Sequence, residues 1–299
     1  MNKNILIVGG TGFLGQNLVK KLSSMSYNIT SLSSRRIPNK KKFKNVDYKL
    51  VDISKKNNFN KIKKNEFNYI INLGGNIDHK NKLETNKSHF IGCKNLLNEL
   101  NLTNLKLFIQ IGSSLEYGNT KSPQKENSLN KPKSIYGKAK LKATKYLISK
   151  SKSKNFAYII LRPYQIYGPH QKYDRLIPQT IDSCLKNKEF SCSEGKQLRD
   201  FLYVSDFVEL VLKILKNKKI NPGIYNIGLG RPFSVKYIIM TIKKIIKKGK
   251  PNFGKIKMRK DEIMSLYPNT NKTKKNFKWR PKVNIINGIK KTIKFYAEQ

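Results

Sequence analysis

The first fifteen residues constrain this chain more than any other stretch. Asn4-Ile5-Leu6-Ile7-Val8 is a short apolar, β-branched run, suited to a parallel strand buried on both faces. It leads directly into Gly9-Gly10-Thr11-Gly12-Phe13-Leu14-Gly15 and then into an amphipathic segment from Gln16 to Leu22. Strand, glycine turn, helix is the order that a dinucleotide-binding turn demands. Gly9 and Gly12 permit the tight turn and let backbone N–H groups approach a pyrophosphate at the helix N-terminus. Thr11, Phe13 and Leu14 complete that turn, and Gly15 lets the helix pack closely on its strand. A plain strand-to-helix turn needs only one of these glycines.

The rest of the chain repeats the alternation. Tyr27–Leu32 reads as a second strand, followed by Ser33-Ser34-Arg35-Arg36. In dinucleotide folds an acidic residue here holds the adenosine ribose, whereas an arginine accommodates a 2′-phosphate. No Asp or Glu occupies this stretch, so Arg35 favours NADP over NAD, with an exposed basic loop as the competing reading. Tyr48–Asp52 reads as a third strand; Asp52 either meets the adenine amino group, beside Ile53, or caps its own turn. Asn68–Gly75 is a fourth strand whose exit, Leu73 and Gly74, is small enough for the backbone to approach a cofactor. Phe90, Cys93, Leu96 and Leu97 give a helical core face to residues 87–100. His79 and His89 have no metal-ligand partners in the sequence and read as surface histidines.

A fifth strand, Leu107–Ile111, runs into Gly112-Ser113-Ser114-Leu115-Glu116-Tyr117-Gly118. The carboxyl end of a parallel strand is where an open α/β sheet places ligands, so Ser113 and Ser114 are candidates to hold a substrate oxygen; two serines before a turn also read as caps. After an aperiodic loop from Asn119 to Lys133 comes Ser134-Ile135-Tyr136-Gly137-Lys138-Ala139-Lys140. Tyr136 and Lys140 lie four residues apart, hence on one face of a helix. A cation beside a phenol favours the phenolate, which makes Tyr136 a candidate to exchange a proton with a sugar hydroxyl or carbonyl. In a chain this rich in lysine the spacing alone also describes an exposed helix face.

Composition excludes some classes. Hydrophobic residues make up 38% of the chain and the mean hydropathy is −0.58, yet apolar runs recur along the whole length, which argues against disorder. No apolar stretch approaches a membrane span and no charged leader with an apolar core precedes the first strand. Cys93, Cys184 and Cys192 lack CxxC or His-paired spacing and read as reduced thiols of a cytoplasmic protein. The net charge of +44 invites a nucleic-acid reading. It is discounted because lysine is spread through nearly every segment in company with Asn and Ile, the signature of an A/T-rich coding sequence.

Taken together, the glycine turn, the Ser113–Gly118 segment and the Tyr136/Lys140 pair resemble those of the extended short-chain dehydrogenase/reductases, in the NAD(P)-dependent epimerase/dehydratase group acting on nucleotide sugars. Leu161-Arg162-Pro163-Tyr164-Gln165-Ile166-Tyr167-Gly168-Pro169, Leu198–Asp206 and Gly223–Gly228 match further family segments, so the resemblance covers essentially the whole length. It implies a Rossmann-type doubly wound parallel α/β sheet at residues 1–168, with 200–228 partly returning to it, and a smaller C-terminal substrate-binding lobe at 169–299. It also implies Tyr136, Lys140 and Ser113 as the catalytic set, with Tyr136 and Lys140 also touching the cofactor. Arg199 and Arg259 would bind the sugar nucleotide diphosphate, although each could instead pair with a neighbouring carboxylate. A homodimer is implied as well, relatives often pairing through helices that include the one bearing Tyr136.

Departures from the family narrow the chemistry. Where sugar 4,6-dehydratases carry an Asp-Glu or Ser-Glu pair directly after the active-site hydroxyl, this chain has Ser114 and Leu115, with Glu116 one position late. Leu115 and Arg175 stand where 3,5-epimerising relatives carry a Cys and a His. Two simple hydride chemistries remain, 4-epimerisation with tightly held NAD and reduction of a 4-keto sugar with exchangeable NADP; the missing acidic residue after strand two tilts the reading to the second. A different class, a non-catalytic nucleotide-sensing or RNA-binding relative, is disfavoured by the joint presence of Ser113, Tyr136 and Lys140.

Overall fold

The computed structural model describes residues 3–37, 42–62, 64–75, 81–258 and 262–299. The chain divides into two compact units. The first holds residues 1–120, 126–163 and 217–225, the second residues 121–125, 164–216 and 226–299.

In the first unit, β1 (Lys3–Val8), β2 (Tyr27–Ser33), β3 (Val46–Leu50), β4 (Tyr69–Asn72), β5 (Leu107–Ile111) and β6 (Ala157–Pro163) join β10 (Gly223–Ile227) in one seven-stranded sheet. Its order is β10-β6-β5-β4-β1-β2-β3, and β1 to β6 pair in parallel throughout. The order reverses direction between β1 and β4, so the two loops leaving those strands diverge there and open a crevice. Every residue of β4 and β5 is buried, which is why these strands read as continuous apolar runs rather than alternating ones.

One face of the sheet shows how the helices are held. Leu6, Val8, Ile70, Phe108 and Ile160 form a cluster with Cys93, Leu96 and Leu97 of α3 (Gly92–Glu99) and with Ala143 and Leu147 of α4 (Ile135–Lys154). Helix α1 (Phe13–Leu22) buries Gly15, Leu18, Val19 and Leu22 at helical spacing. Ser134 caps α4 by accepting the Gly137 N–H at 3.0 Å, and Asn155 ends it in the left-handed region at φ 50°.

Two elements differ from expectation. The helix expected from Lys87 begins earlier, as α2 (Lys82–Asn86), because the Asn81 side chain accepts the Glu84 N–H at 3.1 Å and caps it. Between α2 and α3 the chain makes a π-helical turn, Lys87–Ile91. The third strand stops at Leu50, since Asp52 Oδ1 takes the Ser54 N–H at 3.0 Å and its hydroxyl at 2.8 Å; these local bonds compete with the sheet ladder.

In the second unit, β9 (Leu198–Tyr203) is the centre of a small sheet. It is flanked by β7 (Gln165–Tyr167), β11 (Pro232–Ser234) and β13 (Ser265–Leu266). Among the described residues, five helices belong to this unit: α5 (Leu176–Leu185), α6 (Val204–Lys216), α7 (Val235–Ile246), α8 (Asn271–Phe277) and α9 (Ile285–Ala297). A two-stranded pair, β8 (Glu189–Ser191) with β12 (Lys250–Asn252), completes it. Trp279 is fully buried in the core and donates from Nε1 to the Asp206 carbonyl at 3.1 Å. Asp200, also fully buried, accepts the N–H groups of Leu229, Gly230 and Arg231 at 2.7, 2.6 and 3.2 Å. Burial pushes its carboxyl up to about 6 in spite of those three donors.

Candidate active site

The glycine turn closes on itself and on the neighbouring strand. Gly9 is left-handed, φ +75°, and a Cβ there would lie 3.1 Å from Gly74 Cα and 3.2 Å from the Leu73 carbonyl carbon. The exits of β1 and β4 are therefore in backbone contact. A Cβ on Gly15 would strike the Gly9 carbonyl oxygen and sit 2.5 Å from Gly10 Cα, so α1 reaches its strand only because residue 15 is glycine. Ile53 packs beneath this contact, its Cδ1 3.5 Å from the Cβ position of Gly74. Gly12 is the N-cap of α1 and offers no side-chain cap, which leaves the first amides of the helix facing outward. An uncapped helix N-terminus behind a backbone surface stripped of Cβ atoms fits a dinucleotide pyrophosphate.

The end of β2 is built from hydroxyls. Thr11 Oγ1 donates to Ser33 Oγ at 3.1 Å, and Ser33 Oγ donates to the Arg35 carbonyl at 2.7 Å. The Arg35 side chain is exposed. Asp52 is engaged by its own turn, as the capping reading anticipated.

At the far side of the switch point, Ser113, Tyr136 and Lys140 are brought onto one scaffold. Ser113 is the N-cap of a single turn, its Oγ accepting the Leu115 N–H at 3.1 Å while its own N–H donates to Glu116 Oε1 at 2.8 Å. Helix α4 lies directly on this turn, for a Cβ on Gly137 would run into the Leu115 carbonyl oxygen. Tyr136 is half-buried on the first turn of α4. Lys140 is buried, with Nζ 5.7 Å from the centroid of the Tyr136 ring and donating to the Ile111 carbonyl at 2.7 Å. Burial pulls its ammonium down to about 8, with Glu116 and Cys93 acting in the opposite sense.

Beneath this scaffold lie buried polar residues to which motif reading gave no role. Glu116 is fully buried and takes three donors: the Ser113 N–H, Thr144 Oγ1 at 2.8 Å and Arg162 Nη2 at 2.7 Å. Arg162, also fully buried, donates from Nη1 to Asn130 Oδ1 at 2.9 Å and lies 4.3 Å above the Tyr117 ring. Asn72 Nδ2 donates to Gln110 Oε1 at 2.9 Å, and Gln110 Nε2 donates to the same Ile111 carbonyl that Lys140 holds. Asn72 and Gln110 are legible in retrospect as polar side chains inside strands that are otherwise wholly apolar. His89, read as a surface histidine, is instead 5% exposed, because the π-helical turn directs it inward to meet Tyr136 edge-on, centroids 4.9 Å apart. His79 lies outside the described residues.

Of the two arginines expected to bind diphosphate, Arg259 lies outside the described residues. Arg199, on β9 of the second unit, is ion-paired with Glu262 and donates from Nη1 to its neighbour Leu198's carbonyl at 2.8 Å. Ser114 is buried within the capped turn that follows Ser113. Cys93, Cys184 and Cys192 are free and buried. No helix among the described residues is long and apolar enough to cross a membrane.

Comparison with known proteins agrees with this architecture. The chain is 26% identical to the human dTDP-D-glucose 4,6-dehydratase over 324 residues, covering 99% of this chain and 90% of the human protein. The structure superimposes on a UDP-glucose 4-epimerase from Thermotoga maritima, solved with UDP-glucose, with a TM-score of 0.91 at 25% identity and 99% coverage of both chains. A Thermus thermophilus UDP-glucose 4-epimerase shares the fold at a TM-score of 0.87 with 20% identity, covering 98% of this chain and 99% of that one, and it was solved with NAD. NAD in solved relatives overturns the expectation of NADP. The exposed Arg35 is one more basic side chain on a chain of net charge +44, and the missing carboxylate is no evidence for a 2′-phosphate when hydroxyls line the end of β2. The profile described as the NAD dependent epimerase/dehydratase family matches residues 5–228, three quarters of the chain, and the protein belongs to that family of nucleotide-sugar enzymes.

Proposed function

We propose that the protein is a nucleotide-sugar 4-epimerase that retains NAD through its catalytic cycle. The observation that carries this reading is the state of Glu116. It is the one carboxylate in the Ser113–Gly118 segment, and it is locked, fully buried, against Arg162, Thr144 and the Ser113 N–H. A dehydratase needs a carboxyl group free to protonate the departing hydroxyl. Ser114 and Leu115 supply none, so the segment supports proton exchange at one oxygen and no elimination. With NADP set aside, the argument that tilted toward an exchanging reductase falls as well.

NAD, when bound, supplies the acceptor and donor of a hydride. Gly9, Gly12 and the uncapped first turn of α1 would hold its pyrophosphate, and Leu73 and Gly74 would floor its far end. Tyr136 would exchange a proton with the sugar O4, the hydride chemistry at C4 being what NAD would supply. Lys140 would bind ribose hydroxyls of the cofactor. Ser113 Oγ accepts the Leu115 N–H, so its own O–H is oriented to donate to O4.

The test is to incubate the NAD-loaded protein with UDP-glucose, dTDP-glucose and CDP-glucose and follow the products by NMR. Isomer exchange at C4 without net cofactor consumption is expected, abolished in Tyr136→Phe with NAD binding intact. Net release of NADH with a 4-keto sugar, or accumulation of a 4-keto-6-deoxy sugar, would overturn it.

A further inference from the structure

We propose that His89 is the positioning residue of this reaction: its imidazole, wedged between the Gly75 backbone and the Tyr136 ring, sets the orientation from which the phenol exchanges its proton. The kinetic part of this inference rests on the epimerase reading; the geometric part does not.

The wedge begins with a departure from regular helix. The Gly92 N–H bonds back to the Lys87 carbonyl, five residues earlier, which makes the turn Lys87–Ile91 π-helical. Such turns insert one extra residue into a helix and recur at functional sites, where they redirect a side chain. Here the redirected side chain is His89, buried at 5% exposure. Its ring meets that of Tyr136 at an interplanar angle of 80° and 4.9 Å between centroids, the edge-on geometry that aromatic pairs prefer.

The imidazole also lies against the Gly75 backbone. A Cβ on Gly75 would run into His89 Cε1 and Nδ1 and sit 3.1 Å from Nε2. Gly75, at φ +152°, directly follows Gly74, whose Cα lies against the Gly9 turn. One ring thus bridges the floor of the dinucleotide turn to the proposed proton donor. Lys140 Nζ lies 5.7 Å from the centroid of the Tyr136 ring and is itself anchored on the Ile111 carbonyl. Tyr136 stands on the first helical turn and is half-buried, so without the imidazole its ring loses a packing partner. Displacing a reacting group by about 1 Å costs up to ~100-fold in rate, whereas ground-state binding through other contacts survives.

The test uses the full-length protein carrying NAD. His89→Ala is expected to lower kcat about tenfold or more, with KM for the sugar nucleotide and NAD affinity within about twofold of wild type. Added free imidazole, which refills the vacated space, is expected to restore part of the loss. His170→Ala is the control; His170 meets Phe295 edge-on in the second unit, and its removal is expected to leave kcat unchanged. In parallel, 3-fluorotyrosine is placed at position 136 and its ¹⁹F resonance followed. A resonance shifted or broadened by His89→Ala, and by His170→Ala not at all, supports the wedge.

An unchanged kcat overturns the proposal, as does a parallel loss of kcat and NAD affinity that imidazole does not repair. Should the wild-type protein exchange none of the sugars, the epimerase reading fails by itself and the ¹⁹F resonance decides alone: unchanged in His89→Ala, it overturns the wedge. If His89→Ala does not fold, His89→Asn is judged by the same two readouts.

Discussion

Replacing Glu116 by Leu tests whether the turn bearing Ser113 is held by charge. Both partners of the Glu116–Arg162 pair have fully buried side chains, and their oxygen and nitrogen are 2.7 Å apart. Without the carboxylate, the Arg162 guanidinium keeps Asn130 Oδ1 at 2.9 Å and the Tyr117 ring face, but no anion. Leaving one charge of a buried pair uncompensated costs about 3–5 kcal/mol. The Ser113 N–H and the Thr144 hydroxyl lose their acceptor in the same step, at about 1–3 kcal/mol for each buried group left unpaired. These losses share one site and do not add, so about 3 kcal/mol is the floor, a large fraction of the ~5–15 kcal/mol typical of a folded chain. Urea unfolding followed by far-UV circular dichroism reads the effect. With a slope of about 3 kcal/mol per M, the midpoint of Glu116→Leu should fall by about 1 M or more. Glu116→Gln, which keeps the shape and one acceptor oxygen, should fall by less. A shift below about 0.3 M in Glu116→Leu, or equal shifts in the two variants, would refute the argument, because either result means the carboxylate charge does not matter.

Two further outcomes follow from the same scaffold. Gly15→Ala places a Cβ against the Gly9 carbonyl and 2.5 Å from Gly10 Cα, both backbone; we expect about 1–3 kcal/mol of destabilisation in thermal unfolding and at least ~10-fold weaker NAD binding by calorimetry. Lys140 is pulled from an ordinary 10.5 down to about 8, so between those values the unfolded chain holds a proton that the folded chain has released. Stability relative to Lys140→Met should therefore rise as pH goes from about 8 toward 10.5, by up to ~3 kcal/mol; a flat difference between the two proteins across that window would contradict the burial argument.

Parts of the site were legible in the sequence because each rests on a local rule. The Gly9–Gly15 spacing, the four-residue step from Tyr136 to Lys140 and Ser113 at the end of a buried strand need only neighbouring residues to be recognised. His89 was not legible. A histidine among Lys87, Ser88 and Phe90 looks surface-borne on a regular helix, and only the π-helical turn carries it inward. Asp52 could be read two ways because capping and ligand binding ask for the same side chain; the bonds to Ser54 answer only for the turn. The cofactor preference was misjudged because it was drawn from the absence of a carboxylate, and an absent group excludes one contact without supplying another.

The sequence by itself determined the parallel sheet, its glycine turn and the family, since strand burial, turn spacing and helical periodicity are properties of short segments. Only the tertiary structure decided which groups hold the site together. Glu116 meets Arg162 across 46 residues of chain, and Lys140 meets the Ile111 carbonyl across 29. Such partnerships depend on where the sheet order sets β5, β6 and α4 side by side, and on burial making an unmet charge too costly to leave alone.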